Sequence, residues 1–392
     1  MVNISQLGAQ GDITQTIISF VLLFAMLALY PRLLTTQTIF QLEKSAMILE
    51  NLDARARNYI LKSIPRGRRT KEDVRNFMEF FAVPPVDVDP YGLIKKLDHI
   101  VRNSDKRFTY FVKQIAPNFS NERQKNIKNA LAGAITTHQI AKIVRHFLEL
   151  VKKYKMFQLA MLLQMQIPLI ERTAKASLKA TEAFVDEVPI GDGIGPLVIA
   201  NLIKGKPKVY EDEEFAVYKT RINGRTTWLT KASGPGATTG YPGKLLQKFF
   251  KRQRIDRIIT IDAGLRMEGE KTGGVAEGVG VAMGGIGVDR YEIEEIAIKQ
   301  NIPLDAIAIK VSDEEAMMVM KREIYNSVQK TIEVLKRNID RGKKNERLLV
   351  MGVGNTCGVG NNYKSLANIE KRINENLKRL EREEKEEKKG FW

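Results

Sequence analysis

The feature that most limits how this chain can fold is an uncharged stretch near its start. Ile17 to Tyr30 reads IISFVLLFAMLALY, broken only by Ser19, and adding Ile13 to Thr16 gives 18 residues without charge. At about 1.5 Å of helical rise per residue, ~20 apolar residues cross a bilayer core. The sequence therefore predicts a transmembrane helix over residues 13–31, ending at Pro31. A secretory signal peptide is disfavoured, because Met1 to Asp12 holds no Lys or Arg and no small-residue cleavage site comes after the run. Arg32, Lys44, Arg55 and Arg57 lie beyond it, which places residues 1–12 outside and the body in the cytoplasm. The expectation is a single-pass protein of the cell membrane.

The chain has 392 residues, 63 Lys+Arg against 46 Asp+Glu, and a formal charge of +17. Such an excess calls for an anionic partner. One Cys excludes an intramolecular disulfide and a cysteine-cluster metal site. Three separated His (His99, His138, His146) argue against a histidine-rich centre. Residues 32–187 read as a basic helical section. From Pro31 to Glu187 there are 27 Lys+Arg and 16 Asp+Glu, so this section carries +11 of the total. Leu42, Ala46, Leu49, Ala56 and Ile60 fall at helical spacing, predicting one long amphipathic helix with Asp53 interrupting its seam. A basic loop, Pro65-Arg66-Gly67-Arg68-Arg69, ends that helix, and a turn at Pro84, Pro85 and Pro90 separates two further helical patterns. Met156 to Ile170 is too short and too rich in Gln for a second span, and reads as a buried or interfacial helix. No RNA-binding signature with interleaved aromatics is present, so anionic lipid head groups are the expected partner ahead of ribosome or RNA. A protein partner stays open.

After Val188 the texture changes, and residues 188–362 predict an α/β domain with a mainly parallel, three-layered sheet. Gly191-Asp192-Gly193-Ile194-Gly195-Pro196 opens a helix, with Pro196 suited to its first turn. Asn223-Gly224 between two strand-like runs signals a hairpin. RIITID (Arg257 to Asp262), AIAIKV (Ala306 to Val311) and LLVMG (Leu348 to Gly352) are apolar strands, and Ser312-x-x-Glu315 caps a helix. The chemistry-bearing residues sit beyond strand ends, where open α/β sheets keep their sites. They are Asp192 with Gly193 and Gly195, Asp262 with Gly264, and Gly354-Asn355 after the third strand. Between Gly264 and Gly287 nine glycines and Glu268, Glu270 and Glu277 make a loop that reads equally as a ligand-approaching segment or a solvated lid.

Two familiar phosphate motifs are absent. Gly191-x-Gly193-x-Gly195 lacks the dinucleotide spacing, and Gly240-Tyr241-Pro242-Gly243-Lys244-Leu245 lacks the hydroxyl residue of a P-loop. DGIGP followed by LVIANL instead resembles the hydrogenase maturation endopeptidases and their relative, the spore germination protease. Gly352-Val353-Gly354-Asn355 is similar to a strand end that precedes DGIGP in that fold, and here it comes about 160 residues later. The Asp-Ala strand end resembles Arg257 to Ala263, so the match is in circularly permuted order. The whole chain also resembles an uncharacterised archaeal membrane-protein family.

The resemblance implies a carboxylate-dependent, peptidase-like hydrolase with Asp192 and Asp262 on its two carboxylate motifs. In the maturation peptidases two carboxylates and a His bind a divalent metal. No His occurs after His146, so the third ligand is missing, and the germination protease, which relies on acids, is the nearer pattern. Two adjacent Asp share a proton and so supply both a base and an acid. Asn355 and the glycine-loop N–H groups are the candidate oxyanion donors. Cys357 is a lone thiol with no His nearby in sequence, a secondary candidate. The competing expectation is a non-catalytic tether that binds a partner. Residues 363–392 predict an amphipathic, charged terminal helix.

Overall fold

The structure, a computed structural model, describes residues 5–65, 67, 70–84, 92–285 and 287–389. Arg66, Arg68 and Arg69 of the basic loop, and Pro85 and Pro90 of the turn, lie outside these residues, as do residues 1–4 and 390–392.

Five helices come first: α1 (Ser5–Ser63), α2 (Thr70–Phe77), α3 (Leu93–Ile115), α4 (Asn121–Tyr154) and α5 (Phe157–Val185). Chain contacts divide the molecule into two units, Met1–Asp53 with His138–Ala174, and Ala54–Thr137 with Lys175–Trp392. In the first unit Leu42, Ala46 and Leu49 are buried at the spacing the sequence shows. Asp53, the acid in that seam, meets His138 Nδ1 at 3.1 Å. Arg145 donates to Glu50 at 2.7 Å and also to Glu43, whose carboxyl it holds below the usual range. In the second unit Phe77 stacks on Phe111 at 4.0 Å, and Phe108 meets Phe77 edge-on.

Residues 13–31 are helical as part of α1, but they do not make the expected transmembrane span. No helix among the described residues is long and apolar enough to cross a membrane, and this overturns the single-pass, membrane-spanning placement. The physical reason is length. The uncharged stretch Ile13 to Tyr30 is 18 residues, about 27 Å of helix against a core of ~30 Å, and Thr14, Gln15, Thr16 and Ser19 reduce its apolar part further. Nor does the chain break at Pro31: α1 runs on to Ser63 through charged residues such as Glu43, Lys44 and Glu50.

The rest of the second unit is built on a seven-stranded sheet. Its strands are β1 (Lys208–Tyr210), β2 (Phe215–Ile222), β3 (Arg225–Ala232), β4 (Arg257–Leu265), β5 (Val275–Val279), β6 (Leu304–Val311) and β7 (Leu348–Gly352), in the order β1-β2-β3-β7-β4-β6-β5. β2 and β3 close on Asn223 and Gly224, with φ of 48° and 79°, the turn whose twist matches paired strands. Pairing is parallel for β3–β7, β7–β4 and β4–β6. It is antiparallel for β1–β2, β2–β3 and β5–β6. The sheet is therefore mixed, which corrects the expectation of a mainly parallel one. Both departures are at the edges. A hairpin extends one side, and on the other the connection from β4 to β5 holds no helix to carry the chain back, so β5 runs opposite to β4 and β6.

Helices cover both faces. α7 (Pro242–Phe250) and α8 (Val288–Gln300) place Leu245, Leu246, Phe249 and Ile293 against Trp228, Ile258, Leu349 and Met351. α6 (Ile194–Leu202) and α10 (Arg322–Asp340) pack on the opposite side, where Gly352 faces Ile199. Alternation along β7 sends Leu349 and Met351 one way and Gly352 the other. The short α9 (Asp313–Met317) begins at Ser312, which forms the expected reciprocal cap with Glu315. The terminal helix α11 (Ile369–Lys389) buries Ile369, Ile373 and Leu380, and Arg379 pairs with Asp186 at 2.6 Å.

Candidate functional site

Three segments far apart in sequence meet at the carboxyl ends of β4 and β7. These strands are parallel neighbours, and Val353 N–H extends their ladder to Ile261 O at 2.8 Å. The first turn of α6 is pressed against both ends. A Cβ on Gly195 would lie 2.2 Å from Val353 O and 2.4 Å from Ile261 O, so only glycine lets the helix come this close. Just before it, a 3-10 turn over Gly191–Gly193 presents Asp192. Gly354 has φ +125°, and a Cβ there would meet Asp192 O at 2.0 Å. Gly195→Ala should therefore cost about 3 kcal/mol, the upper end of overpacking, because two strand backbones must move. Urea unfolding measures it. A loss under about 0.5 kcal/mol, the scatter of ordinary surface changes, would show that the packing is looser.

The two acids are held by main-chain donors. Asn355 N–H donates to Asp192 Oδ2 at 2.7 Å. Ala263 N–H donates to Asp262 Oδ1 at 2.7 Å, and Gly284 N–H to Asp262 Oδ2 at 3.2 Å. Both line one cavity of about 380 Å³, together with Thr239, Met283, Val288 and Gly354. Asp262 is 3% exposed. Burial pushes its carboxyl well above the usual range, the Asp192 carboxylate pushes it further, and the two N–H donors only partly oppose this. Burial also raises Asp192, against the pull of the Asn355 N–H. The arrangement can hold one proton between two acids at a pH where isolated Asp is ionised.

The remaining sequence candidates divide between this site and positions away from it. Asn355 lies beside Asp192, but its Oδ1 accepts from Cys357 N–H and its Nδ2 donates to Asn129 Oδ1 at 3.4 Å. Gly193 and Gly264 flank the two acids. Glu268 is exposed in a turn. Glu270 pairs with Lys310, which holds its carboxyl down, and accepts from Met267 N–H. Glu277 is on β5 and pairs with Arg341 at 3.0 Å. None of these three lines the carboxylate cavity. Cys357 is fully buried, and burial pushes its thiol up and away from nucleophilic use.

Residues that the sequence did not single out also reach this region. Asp289 at the start of α8 and Val101 of α3 complete the cavity wall. Lys231 of β3, opposite Gly352 of β7, is fully buried and donates to Ala232 O at 2.7 Å and Asn361 Oδ1 at 2.9 Å. Its signal was a lysine following the uncharged run Thr226 to Thr230 of a strand pattern.

Two family models match the chain, a "Protein of unknown function (DUF1512) N-terminal domain" over residues 16–187 and a "Domain of unknown function (DUF1512) C-terminal" over 190–360. The chain belongs to the DUF1512 family. No curated protein and no solved structure matches it. In this DUF1512 chain both acids and all three segments that meet at the site fall within the C-terminal match.

Proposed function

We propose that this chain is a peptidase-like hydrolase in which Asp192 and Asp262 act together on water. The observation that carries the reading is their shared cavity, in which the charge of one raises the carboxyl of the other. The resemblance to maturation and germination peptidases supports it. Gly195 at the start of α6 rests on Val353 after β7, so the DGIGP segment and the Gly-x-Gly-Asn strand end lie together although about 160 residues separate them in sequence.

In the reaction the ionised carboxyl takes a proton from water as its oxygen attacks the amide carbon. The protonated partner gives its proton to the leaving amine as the C–N bond breaks. Products are a carboxylic acid and an amine, and the pair recovers its single proton. The metal set of the maturation peptidases does not fit. No group of three His, Cys, Asp or Glu converges among the described residues.

A second reading, a ligand pocket without hydrolysis, is favoured by the N–H bonds that already occupy both carboxylates, as loop-stapling acids would have. Mass spectrometry of a casein peptide mixture incubated with the full chain separates the two. New cleavage products, absent with Asp192→Asn and Asp262→Asn, support the hydrolase. No products, or equal products from the variants, overturn it.

A further inference from the structure

The carboxylate cavity is one end of a longer groove in the second unit. It shares Val101, Thr239 and Asp289 with a neck of about 130 Å³, and the neck shares Asp105, Lys128 and Glu214 with an outer basin of about 820 Å³. α3 supplies wall residues all along, from Val101 through Asp105 and Thr109 to Lys113. These recur every four residues, along one side of a helix, and their span is about 18 Å. A polypeptide extended at ~3.3 Å per residue fills that length with about five or six residues.

The neck holds an unmet donor. Arg102 gives its Nε–H to Asp98 Oδ2 at 2.6 Å, and its guanidinium lies 4.8 Å from the Tyr241 ring centre. Its Nη1 is buried with no hydrogen-bond partner among the described residues. A buried donor without an acceptor is costly, and a small turn of the Arg102 guanidinium toward the neck it lines lets an entering carbonyl oxygen remove that cost. The basin beyond is not cationic. Lys106, Lys113, Lys125 and Lys128 face Asp105, Glu122, Glu211 and Glu214 across it. Lys125–Glu214 and Lys128–Asp105 are paired at 2.8 and 2.6 Å. A nucleic acid needs a net positive wall to replace its counterions, whereas a polypeptide offers neutral carbonyls and side chains of either charge.

We propose that this groove binds an extended polypeptide segment of about five or six residues, with one end at Asp192 and Asp262 and Arg102 Nη1 donating to a main-chain carbonyl. The inference rests on the hydrolase reading for the fate of the bound chain, and not for its binding. Arg102 acts as a positioning residue.

The test uses the full chain carrying Asp262→Asn, with fluorescein-labelled casein peptides separated into fractions of roughly two to three and eight to twelve residues, chosen to bracket the span above. Fluorescence anisotropy should show the longer fraction binding at least about ten-fold more tightly. Arg102→Gln should weaken that binding about ten-fold, the worth of a charged hydrogen bond. Thr109→Trp, a change at a half-exposed position inside the basin, should do the same by filling space, with unfolding temperatures unchanged. Binding that is absent, independent of length or indifferent to both substitutions overturns the groove. So does tighter binding of a labelled oligothymidylate of similar length. If the wild type cleaves short and long peptides alike, the groove fails and the hydrolase stands. If long peptides bind through Arg102 and nothing is cleaved, the groove stands and the hydrolase fails.

Discussion

If the proposed hydrolysis holds, Asp262→Asn should lower it by about a thousand-fold, mid-range for loss of a general acid or base, and should make the protein more stable than the wild type as pH rises. The two effects have one origin. Burial first, and Asp192 second, hold the Asp262 carboxyl well above the ordinary Asp value of 3.8. Between that ordinary value and the raised one, the folded chain binds more protons than the unfolded chain. Stability contributed by this group is therefore full below about pH 4 and is lost as pH climbs through the raised value. Asn carries no titrating proton, so the variant does not suffer that loss. Its unfolding temperature should exceed that of the wild type by a margin that widens above about pH 4. Loss of activity with a stability gain is the mark of a strained functional group. Loss of both would mean that the acid only staples the loops.

Lys231→Met flattens the rise of stability on the alkaline side. Lys231 is fully buried, and burial lowers its amine from 10.5 to about 7. Among the described residues no carboxylate pairs with it; its contacts are Ala232 O and Asn361 Oδ1. A depressed lysine binds fewer protons in the folded state. Stability thus rises with pH from about 7 until the unfolded amine also loses its proton near 10.5. A shift of this size amounts to about 4 kcal/mol over that window. Urea unfolding at pH 7 and pH 10 measures it in both proteins. The wild type should gain the larger increment, and equal increments would show that the amine keeps its ordinary affinity for protons.

The carboxylate loops were legible because their chemistry is local. An apolar run that stops at Asp262, another that stops at Gly352, and the glycine spacing around Asp192 each need only a few adjacent residues to be read. The hairpin at Asn223-Gly224 was legible for the same reason. The apolar run at Ile17 misled because composition signals burial in any nonpolar medium, and only its length and its continuation in α1 distinguish a span. β5 was hidden because Val275 to Val279 contains Gly278 and Glu277 and lies on an edge, where pairing with β6 outweighs strand propensity. Arg102 and Asp289 could not be placed from sequence. They reach the groove through tertiary packing of α3 and α8, helices that no local motif links to Asp192.

The coupled carboxyl pair is central to the proposed chemistry, and its titration can be followed directly by carbon-13 NMR of aspartate-labelled full chain, with Asp192→Asn and Asp262→Asn to assign the signals. The Asp262 carboxyl carbon should titrate well above 3.8, and Asp192→Asn should move that midpoint down by removing the neighbouring charge. Two independent midpoints near the ordinary Asp value, with neither variant altering the other residue, would contradict it.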